Sequence, residues 1–168
     1  IAGNATIGVE ILHDLPQVDT IVVPFGGGGV SCGIAAAVGM LKPGTRVLAA
    51  ECDTSTPITS ALAAGCAVAV ENNKSFISGI GASTVLPEMW PLASRLLSGS
   101  VVSPLTAIAD AIRILFECNR VVAEGAGATA LAGALTLQSS GPVVCVITGG
   151  NIDKAHMMTI LGGGVPEA

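Results

Sequence analysis

The apolar positions of this chain fall into two kinds of run. Short runs without polar alternation are Thr20-Ile21-Val22-Val23-Pro24, Arg46-Val47-Leu48-Ala49-Ala50-Glu51, Val101-Val102-Ser103 and Val143-Val144-Cys145-Val146-Ile147. Strands buried on both faces read this way, and parallel sheets bury both faces. Between them lie longer segments of helical character. Val30 to Leu41 predicts a small-residue helix ended by Lys42-Pro43-Gly44, and Thr56 to Ala64 a helix with Pro57 at its start and Gly65 past its end. Leu86 to Leu97 (entered through Pro87), Leu105 to Cys118, Ala126 to Leu137 and Asp153 to Leu161 complete the helical set. Near the start, Thr6 is placed to cap a short helix with Ile7, Ile11 and Leu12 on one side. Residues 66–83 predict no regular element. This strand–helix alternation predicts an α/β fold: a doubly wound, mainly parallel sheet with helices on both faces. No repeat or linker divides the chain, so residues 1–168 are expected to form a single α/β domain.

Composition narrows the function classes. The chain is 51% hydrophobic and 11% charged, against roughly 25% charged in a typical soluble domain. That much apolar surface offsets the entropy of ordering and excludes a disordered chain. The net charge of -5 and scattered Lys and Arg argue against a nucleic-acid partner, and 2% aromatics leave few stacking platforms. A mean hydropathy of +0.74 raises the question of a membrane. The uncharged stretch from Thr20 to Leu41 is long enough to span one, but Pro24 and Gly26 to Gly29 interrupt it. The second uncharged stretch, Gly125 to Ile152, is broken at Gln138-Ser139-Ser140-Gly141-Pro142. No membrane partner is expected. The five cysteines are odd in number and form no Cys-x-x-Cys, which disfavours disulfides and zinc. They read as buried free thiols in a reducing compartment, so a cytoplasmic location is expected.

The most informative segment is Val22-Val23-Pro24-Phe25-Gly26-Gly27-Gly28-Gly29-Val30, which ends a strand and opens a helix. Bare backbone N–H groups at the positive end of a helix dipole make an anion site without a lysine. A tightly packed turn with no ligand is the plainer reading, although four glycines at a helix entry cost stability. The Walker pattern is absent, since no Lys follows a Gly, and the Gly-x-Gly-x-x-Gly fingerprint fails at Ser31 and Cys32. Glu51, at the end of the next strand, stands where a ribose-binding acid would sit and keeps a nucleotide-binding domain open; its plainer reading is a strand-end surface charge.

Taken with Val121-Val122-Ala123-Glu124-Gly125-Ala126-Gly127-Ala128 and Val144-Cys145-Val146-Ile147-Thr148-Gly149-Gly150-Asn151-Ile152-Asp153, the glycine loop resembles the threonine/serine dehydratases. These are pyridoxal 5'-phosphate (PLP) enzymes of the tryptophan-synthase-β fold type. The opening Ala2-Gly3-Asn4-Ala5-Thr6-Ile7-Gly8-Val9-Glu10-Ile11-Leu12 resembles the family's segment ahead of that loop. The resemblance runs over nearly all of this chain and about the C-terminal half of a family member. It implies β-elimination of a small hydroxy amino acid to a 2-oxo acid and ammonia, with PLP as cofactor and a homo-oligomeric state. It also implies that Gly26, Gly27, Gly28, Gly29 and Val30 cradle the cofactor phosphate. Thr148 and Gly149 would then lie at the pyridine nitrogen, Thr148 in place of the family's serine, with Glu124 near the ring. A neutral hydroxyl at that nitrogen makes a weaker electron sink than a carboxylate would, which suits elimination.

The resemblance also implies what this sequence lacks. The family's Schiff-base lysine lies in a Ser-Phe-Lys-x-Arg-Gly motif upstream of the segments matched here. This chain has only Lys42, Lys74 and Lys154, which read as solvated charges, so no catalytic residue is assigned. Ser78-Gly79-Ile80-Gly81 replaces a segment that often carries an acid. Pro57 falls where some members place a carboxylate for a divalent cation beside the match to Glu51, so no metal is expected. With Ile1 in place of Met, the sequence is expected to be a fragment that is inactive alone. The alternatives are a non-catalytic truncated α/β module that self-associates and the nucleotide-binding domain.

Overall fold

The computed structural model describes residues 1–168. In chain order the elements are α1 (Ala2–Asp14), β1 (Thr20–Pro24), α2 (Gly29–Leu41), β2 (Arg46–Cys52), α3 (Pro57–Ala64) and α4 (Trp90–Leu96). They continue with β3 (Gly99–Ser103), α5 (Leu105–Asn119), α6 (Gly125–Ala134), β4 (Val143–Cys145) and α7 (Lys154–Leu161). The strands form one four-stranded sheet in the order β3-β2-β1-β4. Every pairing is parallel: Val22 lies opposite Leu48 and Cys145, and Leu48 opposite Gly99.

Both faces of this sheet are covered, as its unbroken apolar strands require. Ile21, Val23, Val47 and Ala49 point to one side, against Cys32, Ile34 and Val38 of α2, Ile58 of α3 and Ala93 of α4. Val22 and Ala50 point to the other, against Ala130 of α6. Outside α6, helices α5 and α7 close a further apolar layer through Ile108, Ile112 and Ile160. The small residues of α6 let it lie close to the strands. A Cβ on Gly133 would come within 2.6 Å of Val101 Cγ1.

The path from β1 through β2 to β3 moves outward with α2, α3 and α4 on one face. The return to β4 crosses the sheet behind α5 and α6 on the opposite face. Parallel crossovers keep one hand, so helices must change face when the winding direction reverses. The reversal falls between β1 and β4, and the chain leaves these two strand ends toward opposite faces, which opens a crevice there.

Several local expectations need correction. Helix α1 begins at Ala2, so Thr6 is inside it, and its hydroxyl donates to the Gly3 carbonyl at 2.8 Å instead of capping. Helix α4 begins at Trp90 rather than Leu86. Pro91 has no N–H, and in a helix begun at Leu86 its ring would collide with the carbonyl one turn back, so it takes the first turn. Strand β4 stops at Cys145, although the Val146 N–H still donates to the Val22 carbonyl at 3.0 Å. Its residues are half-buried because β4 is an edge strand. Of the five thiols, Cys32 and Cys52 are buried and Cys145 half-buried, while Cys66 and Cys118 are exposed. Cys66 follows the α3 terminus and Cys118 sits in the last turn of α5, where nothing covers them. No helix is long and apolar enough to cross a membrane.

Candidate functional site

The glycine loop leaves the C-terminal end of β1. Its last sheet contact is the Phe25 N–H to the Ala50 carbonyl at 2.9 Å. Gly28 then turns the chain with φ +80°, and a Cβ there would lie 2.7 Å from Met89 Cγ and 3.2 Å from the Phe25 ring. From Gly26 to Ser31 no backbone N–H meets an acceptor within the chain. The next bond is from the Cys32 N–H to the Gly28 carbonyl at 2.9 Å. A row of free donors therefore coincides with the N-terminus of a thirteen-residue helix, where the dipole adds positive potential.

The facing wall is built where β4 runs out. Glu124 stands at the cap of α6, and its N–H donates to the Gly149 carbonyl at 3.0 Å. The close approach depends on glycines. A Cβ on Gly149 would overlap Glu124 Oε1. One on Gly127 would lie 2.5 Å from the carbonyl oxygens of both Thr148 and Gly149. Thr148 is half-buried.

These two walls enclose one cavity of about 240 Å³. Gly26, Gly27, Gly28, Gly29, Val30, Glu124, Thr148 and Gly149 all line it, so every expected site residue is brought together. The sequence reasoning missed Pro24, Gly79, Ile80 and Ala126 as lining residues. Gly79 and Ile80 lie in the Ser78-Gly79-Ile80-Gly81 segment, and Ala126 in the segment that carries Glu124, so the signal was present in both. The donor set fits a phosphate monoester: peptide N–H groups and a helix terminus answer its charge with no basic side chain in the lining. Thr148 and Glu124 bring polar side chains to the facing wall of the same cavity.

Two charged residues are placed otherwise than expected. Glu51 is no surface charge and no ribose ligand. It is 1% exposed and lies outside the cavity lining. Its carboxylate accepts the Ile58 N–H at 2.8 Å, the Thr59 N–H at 2.9 Å and the Thr59 hydroxyl at 2.7 Å. It serves the free donors of α3. Burial pushes its carboxyl above the ordinary range, and these hydrogen bonds oppose that rise. Lys42 is not a solvated charge either, because its Nζ donates to the carbonyls of Pro16 and Val18 at 2.5 and 2.8 Å. Lys74 and Lys154 are exposed, and no lysine lines the cavity.

The family model described as "Pyridoxal-phosphate dependent enzyme" matches residues 1–149. The L-threonine ammonia-lyase of Thermotoga maritima is 36% identical over 170 residues, across 100% of this chain and 42% of that protein. A serine racemase of Oryza sativa subsp. indica is 32% identical over 162 residues, across 91% of this chain and 47% of its own length. Among solved structures, maize serine racemase superposes with a TM-score of 0.86 at 32% identity, over 93% of this chain and 50% of that one. Threonine deaminase isoform 2 of Solanum lycopersicum gives 0.88 at 25% identity, over 96% and 48%. The chain thus spans about half the length of the curated relatives it matches, 42% of the first and 47% of the rice racemase. With the fold, the crevice at the winding reversal and the matched sequence all in agreement, the chain belongs to the pyridoxal-phosphate dependent enzyme family.

Proposed function

We propose that the crevice between β1 and β4 is the phosphate-and-ring half of a PLP site, in a protein that acts as a threonine/serine dehydratase. Residues 1–168 would act as one unit, the C-terminal part of a large cofactor-binding domain. The observation that carries this reading is the meeting of two features in one 240 Å³ cavity: the free N–H row of the glycine loop and the Thr148 side chain. The N–H groups of Gly26 to Gly29 and of Val30 bind the phosphate. A hydrogen bond to a charged group contributes about 1.5–3 kcal/mol, so a few of them hold a dianion without lysine. The Thr148 hydroxyl, backed by Gly149, meets the ring nitrogen, and Glu124 stands at the ring edge. The bound cofactor supplies an electron sink for α-proton loss from an amino acid.

Relatives named for threonine and serine support a hydroxy amino acid as substrate. The exposed thiols of Cys66 and Cys118 suit a reducing cytoplasm. The open, half-buried edge of β4 suits self-association into a homo-oligomer. Because no lysine lines the cavity, the isolated chain binds the cofactor without turnover, and in that sense it is a non-catalytic module. The test is 2-oxo acid release from threonine and serine by the purified chain supplied with PLP. No release above the protein-free control is expected. Robust turnover would overturn the role given to the missing lysine.

A further inference from the structure

One wall of the cofactor cavity hangs from a single side chain. Gly79 and Ile80 line that cavity, within a stretch that forms no helix or strand. At one end of it Phe76 and Ile77 are buried in the apolar layer with Ala126. Across residues 74–81 no backbone N–H or C=O bonds to another element, and the one N–H bond is local, from Ile77 to the Ser75 hydroxyl at 3.2 Å. The other end is Ala82. Its N–H donates to Ser55 Oγ at 3.2 Å, and the Ser55 hydroxyl donates to its carbonyl at 2.8 Å. Ser55 is 4% exposed and is itself fixed to the end of β2, where its N–H donates to the Cys52 carbonyl at 3.0 Å. Between the two anchors, residues 78–81 are exposed or half-buried, and Gly81 takes a φ of +96°. This strap runs close to both other walls. A Cβ on Gly26 would come within 3.2 Å of the Gly79 carbonyl, and a Cβ on Gly79 within 2.7 Å of Ala126 Cβ. On its outer side lies an open hollow of about 430 Å³, lined by Asn72, Ser78, Ile80 and Gly81, so the strap has room to move outward.

We propose that Ser55 is a positioning residue of the cofactor site, whose hydroxyl latches the 78–82 strap against the glycine loop and so slows departure of the bound cofactor. This rests on the PLP reading above. Ser55 does not line the cavity; it acts through Ala82. With the latch made, Gly79 stands opposite Gly26 and the cavity keeps its third wall. Without it, two backbone groups of Ala82 lose their partner, the Phe76-Ile77 anchor holds alone, and the strap swings toward the outer hollow. A local opening of this kind exchanges ligand without unfolding the domain.

The test joins amide exchange followed by NMR to PLP association and release followed by stopped flow. In the native chain without ligand, the Ala82 N–H should exchange about tenfold more slowly than those of Gly79, Ile80 and Gly81, the worth of one hydrogen bond. Ser55→Ala should erase that difference and leave exchange in β1 and α2 unchanged. It should also speed PLP release about five- to tenfold without slowing association. A chain that is merely destabilised would instead associate more slowly, because less of it is folded. Ser55→Thr keeps the hydroxyl and should stay close to native in both measurements. Ala82 exchanging as fast as Gly79 to Gly81 in the native chain overturns the latch, and this reading needs no variant to fold. Native-like release from Ser55→Ala, or Ser55→Thr release as fast as that of Ser55→Ala, overturns the positioning role. Absence of thermal protection of the native chain by PLP instead overturns the PLP reading and the cofactor role of the strap with it, while the exchange rates still decide the latch.

Discussion

At the scale of single residues, the site depends on atoms that make no bond within the chain. Thr148→Ser keeps the hydroxyl and should hold PLP as the native chain does. Thr148→Val removes it at nearly constant volume and should weaken binding about five- to tenfold, the worth of one hydrogen bond. Fluorescence titration of the cofactor checks both. Glu51 shows where residue-level reading stops. Its type and strand-end position were visible, and they suggested a surface acid. Its burial depends on α3 folding back over β2, which one-dimensional spacing does not reveal. The same limit hid the Lys42 bonds to two carbonyls 24 and 26 residues away. Glu51 carries a pH signature with a definite sign. Its folded carboxyl lies above the unfolded one, so the stability it contributes is full below about pH 4.5 and declines as pH rises through the folded value. Glu51→Gln puts an NH₂ against the Ile58 or Thr59 N–H and should cost about 1–3 kcal/mol. The gap between native and variant should narrow as pH rises, as read by urea denaturation at several pH values.

At the scale of elements, strands β1 and β2 and helices α2, α3 and α5 could be read within a residue or two. Each has an unmixed pattern and a sharp stop, such as Pro57 and Gly65 around α3. The elements read less well were those set by neighbours. Val143 to Ile147 reads as a central strand, and nothing in those five letters says that β4 has a partner on one side only. Helix α6 was expected from a run of small residues in which alanines supply the helical propensity. Its glycines have a tertiary reason as well, since Gly127 admits the carbonyls of Thr148 and Gly149. Gly127→Ala would favour the isolated helix by about 1 kcal/mol, yet it should destabilise the protein. The added methyl must push those carbonyls away, at about 1–3 kcal/mol. It should also weaken PLP binding, because the displaced turn carries Thr148. A higher melting temperature with unchanged affinity would contradict the packing described here.

At the scale of the whole molecule, the strand order explains why sites so far apart in sequence meet. Gly26 to Gly29 and Thr148 are separated by most of the chain, but β1 and β4 are parallel neighbours and both loops leave the C-terminal ends of these strands. Order and spacing of the motifs made that convergence legible only through the resemblance. The physical reason, a reversal of winding between two adjacent parallel strands, needed the topology. The central claim is that this crevice recognises a phosphate ester carried on a pyridine ring. Its most direct test is thermal unfolding of the chain with PLP, with pyridoxal lacking the phosphate, and with NAD. At about a hundredfold excess over Kd, PLP should stabilise by about 2.7 kcal/mol, or roughly 5–10 °C for a chain of this size. Pyridoxal and NAD at the same concentration should leave the midpoint within about 1 °C of the ligand-free chain on that scale. Protection by NAD with none from PLP, or equal protection by pyridoxal and its phosphate, would contradict the claim.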